Sequence, residues 1–145
     1  MTAIRQISVV AVVVSWIVDI VGTNVVALVF FLWAMLTRRV DPEAFTDQRK
    51  LMASPDVFVT LLVVGIAVSV LAGYVAARMA GRAPLLHGLL SSIGGIAAGL
   101  LTLEKTLEST PPALVLLGFV IAPITGLLGG YVELRHARVR AQSAD

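Results

Sequence analysis

Four long apolar runs divide the chain, each close to the roughly 20 residues that carry a helix across a bilayer's hydrocarbon. They lie near residues 7–36, 57–77, 84–103 and 112–134, and the charged residues gather between them. Strands cannot fill these runs. They are too long, they do not alternate, and an open sheet edge in lipid would leave backbone N–H and C=O groups unmatched. A water-soluble fold is excluded as well. Of the 145 residues, 58% are hydrophobic and 14% charged, against about 25% charged in soluble domains. The expected fold is an all-α integral membrane bundle of four transmembrane helices forming a single domain, with a bilayer as its solvent.

The first run is longer than a span requires, so tilt or projection beyond the hydrocarbon is expected. It also continues well past the roughly 7–15 apolar residues of a secretory signal, and no A-x-A-like site ends it. An uncleaved first helix is therefore expected. Ser54, Pro55 and Asp56 open the second helix as cap, first residue and first-turn acid. Ser109 or Thr110 is placed to cap the fourth. Residues 37–54 form the one sizeable loop. Asp41, Pro42 and Glu43 there suit the start of a short interfacial helix carrying Phe45 and Met52; a solvated loop fits equally. The basic tail after Arg135 is expected to fray.

Basic residues decide orientation. With the N-terminus in the cytoplasm, that side carries Arg5, Arg78, Arg82, Arg135, Arg138 and Arg140, and the other carries Arg38, Arg39, Arg49, Lys50 and Lys105. The balance favours both termini inside. These arginines lie at helix ends, where they serve topology, and no nucleic-acid partner is expected. The chain has no cysteine, which removes disulfides, thiolate metal sites and palmitoylation.

Two helix ends echo one another. Leu71, Gly73, Tyr74, Val75, Arg78 and Ala80 recur as Leu128, Gly130, Tyr131, Val132, Arg135 and Ala137. Two parallel two-helix repeats would give this pattern. So would convergence, because interfaces favour Tyr and Arg. Small residues also recur every fourth position. Gly65, Ser69, Gly73 and Ala77 lie on the second helix. Gly88, Ser92, Gly95 and Gly99 lie on the third, and Gly118, Ala122, Gly126 and Gly130 on the fourth. Such faces let backbones approach closely in lipid, where hydrophobic drive between helices is small. They suit packing within the chain, homo-oligomerisation, or a membrane partner.

Asp19 is the one charged residue deep inside a run. Ser15 and Thr23 share its helix face, with Asn24 adjacent. An ionised carboxylate at mid-membrane costs about 2.5–3.5 kcal/mol on insertion scales. It must face the bundle, be protonated, or find a donor. By depth it is level with residues 94–97 and 121–125, which makes Thr125 the nearest hydroxyl. A neutral hydrogen-bonded glue, a proton or cation pathway, and contact with a partner's basic residue all remain open. Pro123 breaks the backbone ladder of the fourth helix and should free the carbonyl of Phe119. Arg78, Arg82 and His87 cluster with Arg135 as basic residues at one interface, as anchors or as a site for an anionic headgroup. No motif for nucleophilic, zinc or phosphate-loop chemistry occurs, so no enzyme activity, metal or cofactor is expected.

The run GYVAARMAGRAPLLHGLLSSIGG, residues 73–95, resembles a class of small bacterial four-pass membrane proteins of unknown function. The matching positions are Gly73, Tyr74, Arg78, Gly81, Arg82, Leu85, Leu86, His87 and Gly88. The resemblance implies a bacterial cytoplasmic (inner) membrane and four helices, and it implies no activity.

Overall fold

A computed structural model of the chain describes residues 7–37 and 54–143. The 37–54 loop, with its interfacial-helix motif and its basic residues Arg38, Arg39, Arg49 and Lys50, lies outside the described residues, Thr37 and Ser54 apart, and so does Arg5. The described residues form five helices and no strand: α1 (Val9–Leu36), α2 (Pro55–Ala80), α3 (Pro84–Leu101), α4 (Leu103–Ser109) and α5 (Pro112–Gln142). All but α4 are long and apolar enough to cross a membrane. At 1.5 Å per residue, the 31 residues of α5 extend about 46 Å and the 18 of α3 about 27 Å. Hydrocarbon about 30 Å thick therefore leaves α5 projecting by several turns.

α5 packs along α2 and α3, and α1 lies against α2 and, more lightly, α3. Val13, Ile17, Leu28, Val63, Leu116 and Val120 point outward, the side a bilayer covers. The core is correspondingly small and polar: Ala11, Ser15, Ala72, Ala76, His87 and Thr125 are buried. Apolar bulk faces lipid because leaving lipid brings it little, whereas small residues gain contact by letting backbones touch.

The closest approaches set glycines against the backbone of a neighbouring helix. A Cβ on Gly73 would lie 2.5 Å from the carbonyl oxygen of Gly126. One on Gly126 would strike the carbonyl of Gly88, and one on Gly129 the backbone of Val70 and Tyr74. Gly130 faces Pro84 in the same way, and Gly99 meets the ring of Phe119. Two members of the expected packing stripes do not take part. Among the described residues, nothing lies within 4 Å of a Cβ on Gly65 or Gly118. The reason is geometric. A step of four residues overshoots the 3.6-residue turn, so two steps rotate the side chain by about 80° around the helix. Gly65 is thereby turned away from Gly73, and Gly118 from Gly126. Gly129, three residues beyond Gly126, stays on the contact face.

Helix ends differ from expectation in three places. Ser54 is the N-cap of α2, with Pro55 its first residue, but its side chain makes no capping bond. Pro111 takes the N-cap position of α5 in place of Ser109 or Thr110, because the short helix α4 uses residues up to Ser109. The tail does not fray at Arg135. α5 continues to Gln142, carried by good helix formers and by an Arg140–Glu133 ion pair two turns apart on one face.

Candidate functional site

The turn between α2 and α3 sets the register of the bundle. Gly81 closes α2 in the left-handed conformation, φ 64°, and Ala83 is also left-handed at φ 44°. That conformation is strained for a residue with a Cβ. It brings His87 inward, where the side chain is fully buried. Its Nε2 accepts the backbone N–H of Ser8 at 2.9 Å, and its Nδ1 lies 3.1 Å from the carbonyl of Ala83. A backbone N–H can only donate, so the ring proton belongs on Nδ1. This overturns the placement of His87 among the interface basic residues. A neutral imidazole instead joins the start of α1 to the start of α3. Arg78, Arg82 and Arg135 are exposed at that end, with the Arg78 guanidinium donating to Tyr74 Oη at 2.6 Å. Since α5 also ends beside α2, the two ends of the described chain lie at one end of the bundle.

Halfway along the bundle, Asp19 of α1 faces α2. Ser69 Oγ donates to Asp19 Oδ1 at 2.8 Å. Thr125 is buried but donates to its own helix at the Ala122 carbonyl, so the hydroxyl expected to meet Asp19 does not. Ser69 lies at the same depth as Asp19. Asp19 lies ten residues in from Val9, and Ser69 eleven in from Ala80, at the shared end of the bundle. Opposite, a Cβ on Gly95 would approach Asp19 Oδ2 to 3.3 Å, so glycine there leaves the carboxyl its space.

These groups open onto a cavity of about 20 Å³, room for about one water. Asp19, Ser69, Ser91 and Ser92 supply its polar wall, and Ala72, Gly95, Ala122 and Gly126 complete it. The serine protons are already committed. Ser91 donates to the Gly88 carbonyl at 2.6 Å and Ser92 to the Leu89 carbonyl at 2.7 Å, as Ser69 does to Asp19. What remains is oxygen lone pairs. The cavity is thus rich in acceptors and poor in donors. It matches a ligand that brings protons or positive charge. No group of three His, Cys, Asp or Glu able to hold a metal occurs among the described residues, and a lone carboxylate suits a proton or monovalent ion better than a divalent one.

The other residues on the Asp19 face do not reach the cavity. Ser15 is buried and donates to the Val12 carbonyl at 2.7 Å. Asn24 is exposed and bonds the Ile20 carbonyl, and Thr23 is half-buried beyond the cavity wall. Two contacts had no signal in the spacing patterns. Trp16 Nε1 donates to the Leu90 carbonyl at 3.2 Å, and its ring fills the space a side chain on Gly94 would need. Together they lock α1 to α3 beside Asp19.

No family model matches the chain, and no curated protein or solved structure matches it. The likeness of residues 73–95 to small four-pass membrane proteins therefore stands on those residues alone.

Proposed function

We propose that this four-pass membrane protein binds a proton or a small monovalent cation at Asp19, as a non-enzymatic transporter or channel component. The observation that carries the reading is the donor-poor cavity that four helices close around one carboxyl midway along the bundle. Intramembrane acids are costly, and they characteristically mark ion and proton pathways. Asp19, Ser69, Ser91 and Ser92 supply the coordinating oxygens. The protein sits in a bacterial inner membrane with both termini in the cytoplasm, as the arginines near Arg78 and Arg135 favour.

The test uses the full chain in proteoliposomes. Wild type dissipates an imposed proton or sodium gradient, and Asp19→Asn, folded to the same extent by circular dichroism, does not. Fluxes equal to empty liposomes for both proteins would overturn the proposal and leave Asp19 as a hydrogen bond between α1 and α2. A second reading rests on Gly65 and Gly118, where a Cβ would meet no described residue within 4 Å. They suit packing against another copy or a membrane partner. Crosslinking through cysteines placed at these two positions tests it, and monomer alone would refute it.

A further inference from the structure

At the end of the bundle where α2 gives way to α3, the projecting turns of α5 flank a second cavity. This cleft measures about 410 Å³, within the range of about 300–1,000 Å³ typical of small-ligand sites. Arg78, Arg82 and Arg140 line it together with Glu133. Glu133 is only 5% exposed. Its Oε1 pairs with Arg140, but its buried Oε2 has no hydrogen-bond partner among the described residues.

A carboxylate oxygen taken out of water without a donor is expensive to keep. Among the described residues, Arg78 turns to Tyr74 and Arg140 alone serves Glu133, through Oε1. The cleft therefore asks for two things at once. It asks for an anion to face the arginines, whose forked donors match phosphate geometry. It also asks for a donor cation to face Glu133 Oε2. A purely anionic ligand would satisfy the arginines and leave the carboxylate worse off. A phosphate ester bearing a primary ammonium satisfies both. The site lies beside the Tyr74–Arg78 pair, aromatic and basic residues of the kind that mark headgroup depth.

We propose that this cleft binds a phosphoethanolamine group, its phosphate on Arg78 and Arg82 and its ammonium on Glu133 Oε2. The group arrives either as the headgroup of phosphatidylethanolamine or as a soluble phosphoethanolamine ester. Native mass spectrometry of the detergent-purified full chain tests this, with phosphatidylethanolamine, phosphatidylcholine and phosphatidylglycerol offered at equal concentration. Phosphatidylcholine carries a quaternary ammonium with no N–H, and phosphatidylglycerol carries no cation.

The expected result is at least fivefold more bound phosphatidylethanolamine than either competitor, with Glu133→Gln reducing it to the phosphatidylcholine level. Arg82 is exposed in the turn. Arg82→Gln therefore tests the phosphate half even where Glu133→Gln unfolds the chain, and it should lower binding at least threefold. Soluble phosphoethanolamine that displaces the lipid at millimolar concentration identifies a soluble source, and failure to displace it identifies the bilayer. Equal binding of the ethanolamine and choline lipids overturns the proposal. So does a preference that survives Glu133→Gln, and so does stronger binding of phosphatidylglycerol, which would reduce the cleft to a basic patch.

Discussion

Gly65 and Gly73 stand on one helix, and the same substitution should move stability in opposite directions at the two sites. At Gly73 an alanine Cβ would lie 2.5 Å from the Gly126 carbonyl oxygen, where ordinary contact begins near 3.4 Å. Both atoms belong to helix backbones, so no side chain can rotate away. α2 and α5 must part by roughly 0.9 Å, the difference between those two distances. A gap of about 0.5–1 Å forfeits a quarter to a half of each dispersion contact along the interface. Overpacking of this kind costs about 1–3 kcal/mol, and alanine's better helix propensity returns about 0.5–1 kcal/mol. A net loss of about 2 kcal/mol is expected, the rigid backbone favouring the upper end. At Gly65 no described residue lies within 4 Å of an added Cβ, so only the propensity gain remains, up to about 1 kcal/mol. The two variants should thus differ by about 3 kcal/mol, more than a hundredfold in the unfolding equilibrium. Denaturation of the full chain by SDS in mixed micelles, followed by circular dichroism, measures this. If Gly65→Ala destabilises as much as Gly73→Ala, the reasoning fails and the Gly65 face is packed against something other than lipid.

Removing the hydroxyl in Ser69→Ala should cost about 0.6 kcal/mol, the average for interhelical hydrogen bonds in membranes, and at most about 1.7 kcal/mol; no loss in the same SDS titration would mean that Asp19 takes another donor. His87→Leu leaves the Ser8 N–H without its acceptor and should cost about 1–3 kcal/mol. Hydrogen exchange should then speed up selectively at Ala11 and Val12 at the start of α1, and uniform exchange across α1 would count against the link between α1 and α3. Ala83→Gly relieves a left-handed alanine and should stabilise by up to about 1 kcal/mol, read as a raised unfolding midpoint. A lowered midpoint would show that Ala83 is not strained.

The spans, their order and their tight turn were legible in the chain because hydropathy over about 20 residues is a one-dimensional property. α1, α2 and α3 begin and end within a few residues of expectation. The site was legible only in part. Asp19 was evident as a lone acid, and its depth level with Gly95 and Ala122 followed from counting. Its partner did not follow. Thr125 and Ser69 are both hydroxyls near that depth, and only the rotation of α2 and α5 about their own axes chooses between them. The same rotation separates Gly73 from Gly65 and puts Gly129 in contact. His87 read as an interface cation from its arginine neighbours along the chain. The left-handed Ala83 turned it inward instead.

Sequence by itself therefore determined that this chain is four helices in a bilayer, with one carboxyl in its middle and arginines crowded at one end. Each of those facts rests on composition along the chain. Tertiary structure alone decided which small residues touch, which hydroxyl meets Asp19, and that Glu133 is buried with one oxygen unmatched. Those depend on how each helix is turned about its axis. In lipid, turning is governed by close backbone fit rather than by hydrophobic patterning, and that fit is absent from any single helix.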